Sequence, residues 1–331
     1  MEIAGVSPSI VEGADHLLAR CGCLQPGERV AIVCDPTTRA IGELLHDRAL
    51  GMGARVRLIE IPVLQMHGEE PPAETAESMA DTDLCLGVTA KSMAHTQARL
   101  KAAGRGVRYL SLPDYSMELL GDRSLRADYR GRARIARWLA DHFTRGRSVR
   151  VTTALGTDVT MGIEGRIGNC CPGFVERSGE LGSPPDIESN VSPVEDSADG
   201  VIIVDGSIPY PTIGLLRSPV VLRVREGRIV NIESAADIQS KLEALFATVP
   251  SNKTRVLAEC GVGLNDQATL TGMMLTDEGA AGTMHFGFGS NATVGGKNDV
   301  PFHLDFVFRN PTLTVDDETL IRDGQLLYGF N

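Results

Sequence analysis

The chain is 331 residues long, 42% hydrophobic and 23% charged, a globular composition that argues against a disordered polymer. Its net charge of −11 and sequence pI near 5.2 argue against a general nucleic-acid binder and leave no basic stripe for a membrane surface. At this length two domains are expected rather than one core.

Met1-Glu-Ile-Ala-Gly opens on an acid, and no basic start precedes an uninterrupted apolar core. No stretch approaches a membrane span, so a cytoplasmic protein is expected. Seven scattered cysteines make a poor disulfide framework. Cys21-Gly-Cys23 and Cys170-Cys171 lack a second pair at zinc-site spacing and read as free or structural thiols.

In chain order, Glu28–Cys34 predicts a buried strand and Thr38 to about Met52 a helix with Ile41, Leu44, Leu45 and Leu50 on related faces. Arg55–Ile61 alternates as a strand, Ala73–Ala80 reads as a helix and Asp83–Thr89 as a third strand. A helix around Ala94–Ala103 and a fourth strand over Gly106–Leu112 follow. This alternation predicts an open parallel α/β sheet, a Rossmann-like domain over 1–146. Cys34-Asp-Pro-Thr-Thr-Arg39 has no glycine where a backbone would approach a pyrophosphate, so no dinucleotide site is expected. Leu125–Phe143 predicts one long amphipathic helix with Ile135, Trp138, Leu139 and His142 facing inward and its arginines solvated.

From 147 to 331 the chain predicts a β-rich α+β domain. Strands are expected at Ser148–Thr153, Val201–Asp205, Val220–Arg225 and Arg228–Ile232, the last two joined as a hairpin at Glu226-Gly227. A helix spans about Ala235–Ala247, and Gly179–Asp186, with Pro184 and Pro185, reads as a loop near the site.

Chemistry concentrates in this second half. In Val300-Pro-Phe-His-Leu-Asp-Phe-Val-Phe308, His303 and Asp305 lie two apart, so a strand presents imidazole and carboxylate side by side. Burying that pair among apolar residues needs a partner, and a divalent cation is one. Glu259 in Ala258-Glu-Cys-Gly-Val-Gly-Leu264 and His285 in Gly282-Thr-Met-His-Phe-Gly-Phe-Gly289 are also polar residues in apolar, glycine-broken runs. Taken together they predict a metal site. Each has a blander reading: a hydrogen-bonded histidine, a strand-end acid, and for Glu195-Asp196 a turn. His95 is a candidate substrate contact, with helix capping or packing as the structural alternative.

The order of these motifs, Ala-Glu-Xaa-Gly-Xaa-Gly, then Gly-Thr-Xaa-His, then His-Xaa-Asp, resembles the aminopeptidase T (thermophilic metalloprotease) family over most of the chain. Ser92-Met-Ala-His-Thr-Gln-Ala-Arg99 extends the likeness to the N-terminal half. The resemblance implies that Glu188, Glu259, His285, His303 and Asp305 bind metal, and it implies a homodimer. The tyrosine those peptidases carry after the first histidine is missing from Gly287-Phe-Gly-Ser-Asn-Ala-Thr293. Val294-Gly-Gly-Lys-Asn-Asp-Val-Pro-Phe-His-Leu-Asp305, with Arg309-Asn310 and Val315-Asp-Asp317, looks even more like 2,5-dihydroxypyridine 5,6-dioxygenase, a non-haem iron enzyme. That enzyme has a histidine where this chain has Glu259 and lacks the equivalent of Glu188.

Three carboxylates and two histidines can hold one or two divalent ions (Zn, Co or Mn) that activate water. On that ligand count the leading expectation is a metallohydrolase cleaving a C–N bond of a small amide, peptide-like or cyclic substrate. Glu188 or Glu195 would move the proton as the catalytic acid or base. The alternative is an Fe(II) dioxygenase opening a hydroxylated N-heterocycle, for which His285, His303 and Asp305 could form the triad. A metal-stabilised binding protein is the non-enzymatic alternative.

Overall fold

The computed structural model describes residues 7–329; the Met1–Gly5 segment read above for a leader lies outside them. The chain packs as two compact units. The first runs to Tyr129 and resumes over Gly173–Pro185, and the second takes Arg130–Pro172 and the described residues from Asp186 on. Among the described residues, no helix is long and apolar enough to cross a membrane.

The first unit is a parallel sheet in the order Arg55–Glu60, Arg29–Cys34, Leu84–Val88, Arg108–Ser111, Leu181–Gly182. Val30 to Cys34 and Leu84 to Val88 are buried at every position, as strands covered on both faces must be, which is why they read as apolar runs rather than alternations. Helices Arg39–Gly51, Ala73–Ala80 and Gln97–Gly104 connect them. A further helix, Pro8–His16, was not read from the sequence, although Ser7-Pro8 carries the signal of a proline at the first helical position.

Two expectations are corrected. Gly179–Asp186 is not a plain loop: Leu181–Gly182 pairs with Tyr109 and Leu110 at the sheet edge, and Leu181 packs on the core around Tyr109. Leu125–Phe143 is not one helix. Asp122 accepts from the Ser124 amide and starts a 3₁₀ turn over Arg123–Arg126, Ala127 is extended, and the α-helix begins anew at Tyr129, running to Arg145. Its buried positions are Tyr129, Ala133, Ala136, Leu139, Ala140 and Phe143, while Ile135, Trp138 and His142 are half-buried.

The second unit holds an eight-stranded and a seven-stranded sheet. The predicted hairpin Val220–Arg225/Arg228–Glu233 belongs to the first, and its turn residues Glu226 and Gly227 both have positive φ, 47° and 70°, as a two-residue turn with the native twist requires. The second sheet runs in the order Gly214–Leu215, Ser207–Ile208, His303–Arg309, Thr283–Gly289, Leu257–Gly263, Glu188–Val191, Asn169–Cys171. Cys260, Val262, Met284, Phe286, Phe288, Leu304, Phe306 and Phe308 line its apolar face and are buried. Phe286 stacks on Phe308 at 5.1 Å and Phe288 meets Phe306 edge-on at 5.5 Å.

This apolar face fixes the register that aims the alternate residues at the other face. Phe306→Ala is therefore expected to cost about 3–5 kcal/mol by leaving a cavity in the aromatic layer. In urea unfolding the midpoint should fall with the slope unchanged.

Candidate metal centre

Every suspected donor sits opposite a glycine on the neighbouring strand. His285 pairs with Gly261, Glu259 and Asp305 both pair with Gly287, His303 with Gly289, and Glu188 with Gly263. A Cβ on Gly261 would lie 2.1 Å from His285 Nε2, and one on Gly287 would lie 2.5 Å from His303 Nε2 and 2.9 Å from Asp305 Oδ1. Gly261 and Gly287 thus leave a hollow in the sheet face into which His285, His303 and Asp305 lean. A bulge between Leu257 and Glu259 turns Leu257 toward Phe288 on the apolar face and Glu259 toward Gly287 in the hollow.

Within the hollow, His303 Nε2 is 3.1 Å from Asp305 Oδ1 and 3.4 Å from Glu259 Oε2. His285 Nε2 is 3.3 Å from Glu188 Oε2 and 3.9 Å from Glu259 Oε1, the latter a charge contact beyond hydrogen-bond range. Donor atoms of Glu259, His303 and Asp305 all lie within 4.8 Å of one another, as do those of Glu188, Glu259 and His285. Glu259 is common to both groups. The alternative triad of His285, His303 and Asp305 is not among these groupings. The His303 side chain is 33% exposed whereas the other four are 1–10% exposed, so the hollow opens toward solvent at His303.

The sequence reading missed two further acids. Asp186 and Glu278 each bury an unpaired carboxylate oxygen, Oδ1 and Oε1. Burial, then the charges of Glu188, Glu259 and Asp305, hold Asp186 well above the usual carboxylate range, and burial with the same neighbours raises Glu278. Asp186 lies two residues before Glu188, outside the Glu188–Val191 strand and just after Pro184-Pro185, and Glu278, in Thr276-Asp277-Glu278-Gly279, looks like an ordinary polar turn.

Burial pushes Glu188 up to about 7 against the charge of His285. Glu259, which burial would also raise, is held far below its ordinary range by the two imidazoles, and Asp305 is lowered by His303. Burial would depress both histidines, but Glu259 and Glu188 lift His285 to about 9, and Asp305 and Glu259 lift His303 well above its usual value. Glu188 Oε2, His285 Nδ1 and Asp186 Oδ1 have no hydrogen-bond partner. Buried acids crowded around imidazoles fit a divalent cation, which would offset their mutual repulsion.

Not every candidate joins this cluster. Glu195 accepts from Arg166 Nη2 at 2.5 Å, Asn291 Nδ2 at 3.1 Å and the Lys297 amide at 2.6 Å, so both oxygens are engaged away from the donor groups. His95 is exposed in the first unit, between the Leu84–Val88 strand and the Gln97–Gly104 helix. None of the seven cysteines is in a disulfide.

Gly287→Ala is expected to keep the fold yet weaken divalent-cation binding by roughly 10–100-fold, because the methyl group displaces His303 and Asp305; competition with a chromophoric chelator measures it. The metal-free protein has a definite pH dependence as well. Glu188, raised from 4.5 to about 7, and His285, raised from 6.5 to about 9, each contribute stability that is present below the unfolded pKa and lost as pH rises through the folded one. In chelator, the melting temperature should therefore fall between pH 5 and pH 9. Added cation, which binds the deprotonated ligands, should protect most at the alkaline end.

The model of the family described as 2,5-dihydroxypyridine 5,6-dioxygenase matches residues 10–328. A curated 2,5-dihydroxypyridine 5,6-dioxygenase of Pseudomonas putida is 28% identical over 145 residues, 41% of each chain, so the matched segment spans well under half of that relative. Among solved structures, 2,5-dihydroxypyridine dioxygenase from Pseudomonas putida KT2440 superposes with a TM-score of 0.82 at 20% identity, covering 96% of this chain and 97% of the other. Wild-type AmpT from Thermus thermophilus gives 0.69 at 16% identity, covering 96% and 99%. These structural likenesses establish the α/β fold. The expectation of a C–N metallohydrolase is corrected by the family match and the curated relative. Its physical error was to equate carboxylate count with ion count: burial and neighbouring acids raise the proton affinity of Asp186, Glu188 and Glu278 in the metal-free chain, so a buried carboxylate need not carry charge for an ion to balance. Matched along nearly its whole length, the chain belongs to the 2,5-dihydroxypyridine 5,6-dioxygenase family.

Proposed function

We propose that this protein is an Fe(II)-dependent dioxygenase that opens the ring of a hydroxylated N-heterocycle of the 2,5-dihydroxypyridine type. The observation that carries the reading is the grouping of Glu259, His303 and Asp305 in a chain that matches the dioxygenase family over residues 10–328. Two carboxylates and one neutral imidazole balance a 2+ ion in charge, which suits a buried position. Three protein ligands leave coordination positions open, and the exposed side of His303 is the direction from which small molecules reach them.

When bound, Fe(II) supplies the one-electron chemistry that lets triplet dioxygen react with a closed-shell ring. The protein's own residues set the rest. Asn190 Nδ2 donates to Glu188 Oε1 at 2.6 Å, which leaves Oε2, 3.3 Å from His285 Nε2, as the atom that carries or releases a proton. Burial raises the proton affinity of Glu188 beside His285, so this pair can take the proton of a substrate hydroxyl and return it later. The apolar sheet beneath excludes water from the opposite side of the hollow. Cleavage between ring carbons 5 and 6 puts both oxygen atoms of O₂ into the product. The hydroxyl-bearing carbon becomes a carboxylic acid, and the carbon attached to nitrogen becomes an N-formyl group.

The test is anaerobic loading with Fe(II) followed by 2,5-dihydroxypyridine and air in an oxygen electrode. One O₂ is expected to disappear per ring opened, with both atoms of ¹⁸O₂ recovered in the product. Fe(II)-loaded, folded protein that consumes no oxygen and leaves this and related hydroxypyridines intact would refute the reading.

A further inference from the structure

His303 is held by two different neighbours. Its Nε2 faces Asp305 and Glu259, while Nδ1 lies 2.9 Å from the backbone carbonyl of Ser290. A carbonyl only accepts, so Nδ1 carries the proton and Nε2 is the nitrogen left to meet a cation. The position of one carbonyl therefore sets both the tautomer and the ring orientation.

Ser290 is followed by Asn291, which is completely buried and bonded through every polar group. Its amide donates to the Asn298 carbonyl, its carbonyl accepts from the Val294 and Gly296 amides, and its Oδ1 accepts from the Asn298 amide. A Cβ on Gly296 would come within 1.9 Å of the Asn291 side chain, so the loop is closed tightly around it. The remaining bond, Asn291 Nδ2 to Glu195 Oε1, leaves this loop. Glu195 also accepts from the Lys297 amide, and Arg166 both pairs with Glu195 and donates to the Gly295 carbonyl at 2.9 Å. The Arg166 and Glu195 side chains are only 9% and 22% exposed.

We propose that Glu195 is a positioning residue for the metal centre: through Asn291 it fixes the Ser290 carbonyl, and through that carbonyl the His303 imidazole with Nδ1 protonated and Nε2 free. The two bonds that Glu195 Oε1 accepts, from Asn291 Nδ2 and the Lys297 amide, are the anchor of this relay, and the Arg166 ion pair on Oε2 adds stability to it. The proposal rests on His303 being a metal ligand, and it replaces the proton-transfer role expected of Glu195 from sequence.

The experiment uses the full chain loaded with Zn(II) for NMR and titrated with Co(II) for affinity. In ¹⁵N-labelled, Zn(II)-loaded wild type, long-range ¹H–¹⁵N correlations should show His303 with a protonated Nδ1 and a metal-bound Nε2. Glu195→Ala should raise the Co(II) dissociation constant roughly 10–100-fold and change the Co(II) visible spectrum. In Glu195→Gln the amide oxygen can still accept from Asn291 and Lys297 while the ion pair is lost. That variant should lose stability but hold Co(II) within about 3-fold of wild type, a split that a merely structural role, with stability and affinity falling together, would not give.

Wild-type Co(II) affinity and spectrum in folded Glu195→Ala would overturn the proposal. So would a protonated Nε2 on His303 in the Zn(II)-loaded wild type, a result that needs no variant to fold. Wild type that binds neither ion would overturn the metal-centre reading first and this proposal with it.

Discussion

A side chain can lean into the middle of a sheet face only where the next strand presents no side chain of its own. That steric condition is met here by Gly261, Gly263, Gly287 and Gly289, each standing opposite a donor. At Gly261 a Cβ would run into His285, and at Gly287 into His303 and Asp305, so a side chain at either would fill the space these donors share. The glycines weaken their strands, which lose side-chain packing on that face. The Phe286, Phe288, Phe306 and Phe308 layer on the reverse face offsets the loss and locks the register.

Charge is the second constraint. Glu188, Glu259, Asp305, Asp186 and Glu278 influence one another electrostatically, with only His285 and His303 opposing them. The hollow resolves this by division: Glu259 and Asp305 stay ionised beside the imidazoles, while the remaining acids retain protons more firmly. Glu188 and His285 form one grouping of potential ligands and His303 and Asp305 the other, with Glu259 shared between them.

The sequence carried much of this. Continuous apolar runs announced the parallel strands, and the two-residue spacing of His303 and Asp305 announced a shared face, seen as a 3.1 Å contact. Polar residues in glycine-broken apolar runs pointed to Glu259 and His285, and the glycines were themselves part of the signal. What stayed hidden depended on distant packing. Glu278 enters from a short turn whose local pattern is unremarkable, and the edge strand Leu181–Gly182 is too short to show a period. The environment of Glu195 was illegible because its partners, Arg166, Asn291 and Lys297, are about 30 to 100 positions away. The choice between hydrolysis and ring opening failed for a related reason: ligand types can be listed from a sequence, but their protonation states and groupings are properties of the folded hollow.

The most direct measurement of the central claim is X-ray diffraction from crystals of the Fe(II)-loaded protein grown without oxygen, with data collected on both sides of the iron absorption edge. The account requires an anomalous peak within bonding distance of His303 Nε2 and of carboxylate oxygens from Glu259 and Asp305. A peak bound elsewhere, or a fully loaded protein with none in the glycine-lined hollow, would contradict it.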